Sequence, residues 1–102
     1  MIDGEIYARI IYEAMPIISD AIFAYRCDAG YTGRNITHYA CVVGSNVYVK
    51  NYNGSCGVLR NGPTRIATAQ EIEKFVDTMR NHGFHYNKAN KKVIRISTGE
   101  IL

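Results

Sequence analysis

Gly44-Ser45 stands between two runs of strand-like residues, Thr37 to Val43 and Asn46 to Tyr52. A two-residue link with glycine first suits a type II′ turn, whose twist matches that of paired strands. The turn fixes a register in which Val43 faces Asn46, Cys41 faces Tyr48, Tyr39 faces Lys50 and Thr37 faces Tyr52. Because side chains alternate along a strand, the register also fixes two faces. One holds Tyr39, Cys41, Tyr48, Lys50 and Tyr52; the other holds Ala40, Val42, Val47 and Val49. The small aliphatic face is expected to receive a helix, which turns the tyrosine and lysine face outward.

A helix with the right stripe lies further along. Thr68-Ala69-Gln70-Glu71 forms a capping box, the threonine hydroxyl accepting from the third amide while the glutamate reaches back to the cap amide. Ile72, Phe75, Val76 and Met79 then fall at helical spacing. Gly83 follows Arg80 and His82, where a left-handed residue ends a helix. The spacing predicts a helix over 69–82. Phe84-His85-Tyr86 and Val93-Ile94-Arg95-Ile96 flank the polar stretch Asn87 to Lys91, which predicts a second hairpin with a five-residue loop.

In the first third, Ile6, Ile10 and Ala14 together with Tyr7, Ile11 and Met15 fit a helical face that Pro16 would end. Ala21 to Cys27 reads as a strand, and 28–36 and 53–64 read as loops rich in Gly and Asn. The chain holds 13 Ile and 7 Val against 2 Leu, with 8 Tyr, a balance that favours strands over a helical bundle. With 102 residues, a single domain over 1–102 is expected. The fold class is α+β: a small, mainly antiparallel sheet of four or five strands with one or two helices on one face.

The net charge of +3 conceals a segregation. Residues 1–25 carry Arg9 against Asp3, Glu5, Glu13 and Asp20. Residues 26–65 carry Arg26, Arg34, Lys50, Arg60 and Arg65 against Asp28 alone, and residues 80–95 carry Arg80, Lys88, Lys91, Lys92 and Arg95 with no acid. Clustered bases point to an acidic partner or to a solvated surface. No stretch reaches the roughly 18 apolar residues of a membrane span, and the acidic opening Met1-Ile2-Asp3-Gly4-Glu5 lacks the basic start of a secretory signal. A cytoplasmic protein with no membrane partner is expected.

Chemistry is sparse in the pattern. Cys27, His38, Cys41 and Cys56 contain no Cys-x₂-Cys knuckle, and residues 38 and 41 should point to opposite faces of a straight strand, so no metal site is expected. Cys41 with His38, His82 or His85 supplies the raw materials of a thiolate–imidazole pair but no orienting group. Neither Gly54-Ser55-Cys56-Gly57 nor Gly30 to Gly33 has a nucleotide-loop pattern, so no cofactor is expected. The reading leans away from an enzyme. What remains is a binding face of Tyr39, Tyr48, Lys50 and Tyr52 beside Arg34, Arg60 and Arg65. Tyr and Arg in such a patch suit a protein partner, and the same set stacks on and holds nucleic acid or a nucleotide.

The run Arg65-Ile66-Ala67-Thr68-Ala69-Gln70-Glu71-Ile72-Glu73-Lys74-Phe75, continuing through Gly83-Phe84, Tyr86 and Lys91-Lys92-Val93, resembles a recurrent tail. It is found in small accessory proteins of Bacteroidales genomes and of their phages and mobile elements. The match covers about 30 residues of cap, stripe and turn, and Tyr86 stands where that tail commonly has Trp. The resemblance implies a phage or mobile-element accessory protein. The expected function is then non-enzymatic binding of a host protein, such as inhibition of a defence system, with nucleic-acid or nucleotide binding as the alternative.

Overall fold

The computed structural model describes residues 2–12, 17–26, 38–49 and 64–102. Their elements run β1 (Ile6–Tyr12), β2 (Ile17–Tyr25), β3 (His38–Val43), β4 (Asn46–Val49), β5 (Thr64–Ile66), α1 (Ala69–Asn81), β6 (Phe84–Asn87) and β7 (Lys92–Arg95). Five strands form one antiparallel sheet in the order β4-β3-β2-β1-β5, and β6 pairs with β7 in a second, two-stranded sheet. This is the α+β architecture expected, with one helix among the described residues where one or two were allowed.

The turn at 44–45 forms as its sequence dictates. Gly44 takes φ 62, Ser45 does not share the positive angle, and Val43 pairs with Asn46, Cys41 with Tyr48. The helix begins and ends on its signals: Thr68 accepts from the Glu71 amide at 3.2 Å, Glu71 accepts from the Thr68 amide at 2.8 Å, and Gly83 adopts φ 87. In the second hairpin the strands are Phe84–Asn87 and Lys92–Arg95, so the loop has four residues rather than five, closed by Lys91 at φ 58.

The first third departs from expectation. Ile6 to Tyr12 is a strand, not the opening of a helix that ends at Pro16. Ile6, Tyr7 and Ala8 are all buried, so both faces of β1 are covered and the polar–apolar alternation that marks a strand is missing. The run of β-branched and aromatic residues it contains is what a two-sided strand needs. Beyond it, β2 begins at Ile17 and ends at Tyr25, earlier than the expected Ala21 to Cys27. Thr64, expected in a loop, opens β5, which pairs with β1 through Tyr7–Ile66, Ala8–Arg65 and Arg9–Thr64.

Two cores flank the large sheet. On one side Ile6, Ala8, Ile22, Ala24, Ala40, Val42 and Val49 lie under Phe75 and Met79 of α1 and under Tyr86 and Val93 of the second hairpin. The aliphatic face therefore meets the helix stripe as its register predicts. The other side carries the cross-strand row Ile66–Tyr7–Phe23–Cys41–Tyr48, which runs through all five strands. Its centre is sealed: Phe23 and Cys41 are fully buried. The expectation of an outward face fails at Cys41 for that reason.

One irregularity redirects side chains. Ala24 pairs with Ala40 but Tyr25 pairs with His38, so β3 holds one extra residue, Tyr39, in a β-bulge. The alternation is broken there, and Tyr39 packs against the helix-side core instead of joining Cys41 and Tyr48. The same bulge sets His38 opposite Tyr25 and Cys41 opposite Phe23, two positions on one side of β2. The odd spacing of 38 and 41 thus does not separate them as it would on a straight strand.

Candidate functional site

Of the seven residues expected to form one binding surface, Arg34, Lys50, Tyr52 and Arg60 lie outside the described residues. The other three are spread apart. Tyr39 leans on the helix-side core, where its ring stacks on Tyr86 at 6.2 Å between centroids and its hydroxyl donates to Asp3 at 3.1 Å. Tyr48 is half-buried on the opposite face, on edge strand β4. Arg65 lies on the other edge strand, four strand spacings or roughly 19 Å away. Its guanidinium grips the Glu71 carboxylate with two bonds, one of 2.8 Å, and holds that carboxyl well down, at about 2.

The charge segregation seen along the chain resolves within the fold. Lys88 reaches Glu5 at 2.8 Å, Lys91 reaches Asp3 at 3.0 Å, Arg80 lies 3.5 Å from Asp77, and Arg95 lies 3.2 Å from Glu100. Acids of the first segment and bases of the last one answer each other. The bond from Lys88 keeps the Glu5 carboxyl below the ordinary range. Tyr86 completes this junction by donating to the Gly4 carbonyl at 2.8 Å, and burial raises its phenol to about 12. Lys92 has no ion pair among the described residues.

Among the described residues the buried polar side chain is His38. The residue is 1% exposed, and neither ring nitrogen has a hydrogen-bond partner among the described residues. Burial, aided by the Arg26 charge, lowers its pKa to about 4, so the ring is neutral through the physiological range. Cys41, the candidate nucleophile of the sequence, lies fully buried within the second-face row, where a thiol packs as a small apolar group. Among the described residues no cluster of His, Cys, Asp or Glu has the makings of a metal site.

A surface that sequence reasoning missed lies on the second hairpin. Tyr86 and Val93 face each other and point into the core, so their neighbours His85, Lys92 and Ile94 point away from it. Ile101 bridges directly opposite Ile94, because the chain turns at 96–99 and returns along β7, with Leu102 donating to the Val93 carbonyl. Ile101 is 61% exposed, and Ile96, just past the end of β7, is 50% exposed. This part of the hairpin thus carries three isoleucines, a histidine and a lysine. The only signal in the sequence was the alternation Lys92, Ile94, Ile96, which a half-buried strand produces as well.

No family model, curated protein or solved structure matches this chain.

Proposed function

We propose that the chain is a non-enzymatic interaction protein, and that it binds a protein partner through the outer face of the second hairpin. The observation that carries this reading is the isoleucine cluster Ile94, Ile96 and Ile101, half or more exposed at two of its three positions. Isolated exposed isoleucines are ordinary, whereas a contiguous set on one face is the form of a docking surface. Lys92 and His85, both exposed at its rim, suit a partner whose apolar ridge is flanked by carboxylates. The tail resemblance makes a host protein the class of partner, and inhibition of a defence system the role such an accessory protein would serve.

Nucleic-acid binding is less well supported, because four bases of the 80–95 cluster already hold acids of this chain. The test is capture from a Bacteroidales lysate with the wild-type chain and an Ile96→Glu/Ile101→Glu variant, both checked for native circular dichroism. A protein retained by the first and lost by the second supports the reading. Retention by both removes the hairpin face from it. Recovery of nucleic acid, with an affinity that falls steeply with salt, overturns it in favour of the alternative.

A further inference from the structure

Among the described residues, the edge strand β5 has no strand on its outer side. The Ala67 amide donates to the Ile6 carbonyl at 3.1 Å, which makes Ile6–Ala67 a hydrogen-bonded pair. By the alternation of an antiparallel ladder, Ala8–Arg65 is the next such pair, and the N–H and C=O groups of Thr64 and Ile66 point away from β1. The side chain at this edge is apolar and open: Ile66 is 64% exposed, at the end of the row it shares with Tyr7 and Phe23. Ile2, 67% exposed, lies close by, its amide donating to the Tyr7 hydroxyl at 2.6 Å.

We infer that β5 pairs with β5 of a second copy of this chain, antiparallel about a two-fold axis at Arg65. The pattern is self-complementary. Thr64 meets Ile66 of the other copy and Ile66 meets Thr64, so four outward donors and four outward acceptors, two of each from either copy, form four bonds. The residue on the axis is the one cation of the strand, and Arg65 is held bidentately by Glu71 within its own chain. The two arginines therefore approach as neutralised pairs. Each Ile66, at the end of its own second-face row, is covered by Thr64 of the other copy. A longer foreign strand would find only this three-residue edge, which a short symmetric contact matches group for group.

Sedimentation velocity of the full chain, from micromolar to sub-millimolar concentration, decides the matter. A reversible monomer–dimer equilibrium is expected, weakened at least about tenfold by Ile66→Lys, since an edge lysine blocks strand pairing. Ala89→Lys, in the exposed loop between β6 and β7, should leave the equilibrium unchanged. A monomer at every concentration overturns the inference, and so does a dimer indifferent to Ile66→Lys. Should that variant not fold, exchange of the Ile66 amide in the wild-type chain gives the answer. It slows as concentration rises if the pairing forms, and a rate independent of concentration rejects it.

Discussion

The Tyr39 ring lies stacked on the Tyr86 ring, with 6.2 Å between centroids and 24° between planes. One ring leaves the large sheet at its bulge and the other rises from the second hairpin, so this contact joins the two sheets. Phe75 meets Tyr86 edge-on at 6.1 Å, which brings α1 into the same aromatic junction. Hydroxyls at the junction are satisfied too, Tyr86 by the Gly4 carbonyl and Tyr39 by Asp3. Tyr86→Phe keeps the rings and strips a buried carbonyl of its partner, for a loss of about 1–2 kcal/mol in urea denaturation. Tyr86→Ala opens a cavity beneath the helix and should cost about 3–5 kcal/mol.

Gly4 and Gly83 both adopt left-handed angles, φ 86 and φ 87, yet their surroundings differ. A Cβ on Gly83 meets open space, whereas one on Gly4 lies 2.9 Å from the Lys91 Cγ. Gly83→Ala should therefore cost about 1–2 kcal/mol from backbone strain alone. Gly4→Ala should cost more, because Lys91 must shift and loosen its grip on Asp3. In a double-mutant cycle Lys91→Ala should recover part of that difference; strictly additive losses would refute the steric account.

His38 predicts how stability responds to acid. The unfolded chain takes up a proton near pH 6.5, while the folded ring does so only near 4. Between these values the unfolded state binds more protons, so stability falls as pH falls, by up to about 3 kcal/mol in all. Thermal denaturation from pH 7 to 4 should show the decline, and His38→Phe should flatten it. A loss confined to pH below 4.5 would instead point to Glu71 and Glu5, whose lowered values place their contribution there.

Glu71 serves the helix cap and Arg65 with one carboxylate. Glu71→Ala should cost about 1–2 kcal/mol, and Arg65→Ala less than about 1 kcal/mol, since an exposed ion pair is weak while a lost cap is not. Raising salt should shrink the Arg65 effect and leave most of the Glu71 effect in place.

The helix, its ends and the β3–β4 register were legible because each rests on local chemistry: a capping box, a glycine in a left-handed turn, a two-residue bend. Strand β1 was not, since a strand covered on both faces loses the alternation that identifies it. In Ile6, Tyr7, Ile10 and Ile11 the same apolar residues satisfy helical spacing equally well. With three residues, β5 is too short to show any period. The bulge at Tyr39 is invisible in sequence because it is defined by what lies opposite. It moved Tyr39 away from the surface that the alternation assigned it, and the hairpin face of Ile94, Ile96 and Ile101 emerged only when Ile101 was seen to fold back.

The ties from Asp3, Gly4 and Glu5 to Tyr86, Lys88 and Lys91 bear on synthesis. During translation the earliest strands must wait, with one flank uncovered, until roughly eighty residues have followed β1. A stalled or shortened nascent chain would lack the aromatic lid and both lysine clasps, leaving an apolar sheet open to chaperones and proteases in the cell.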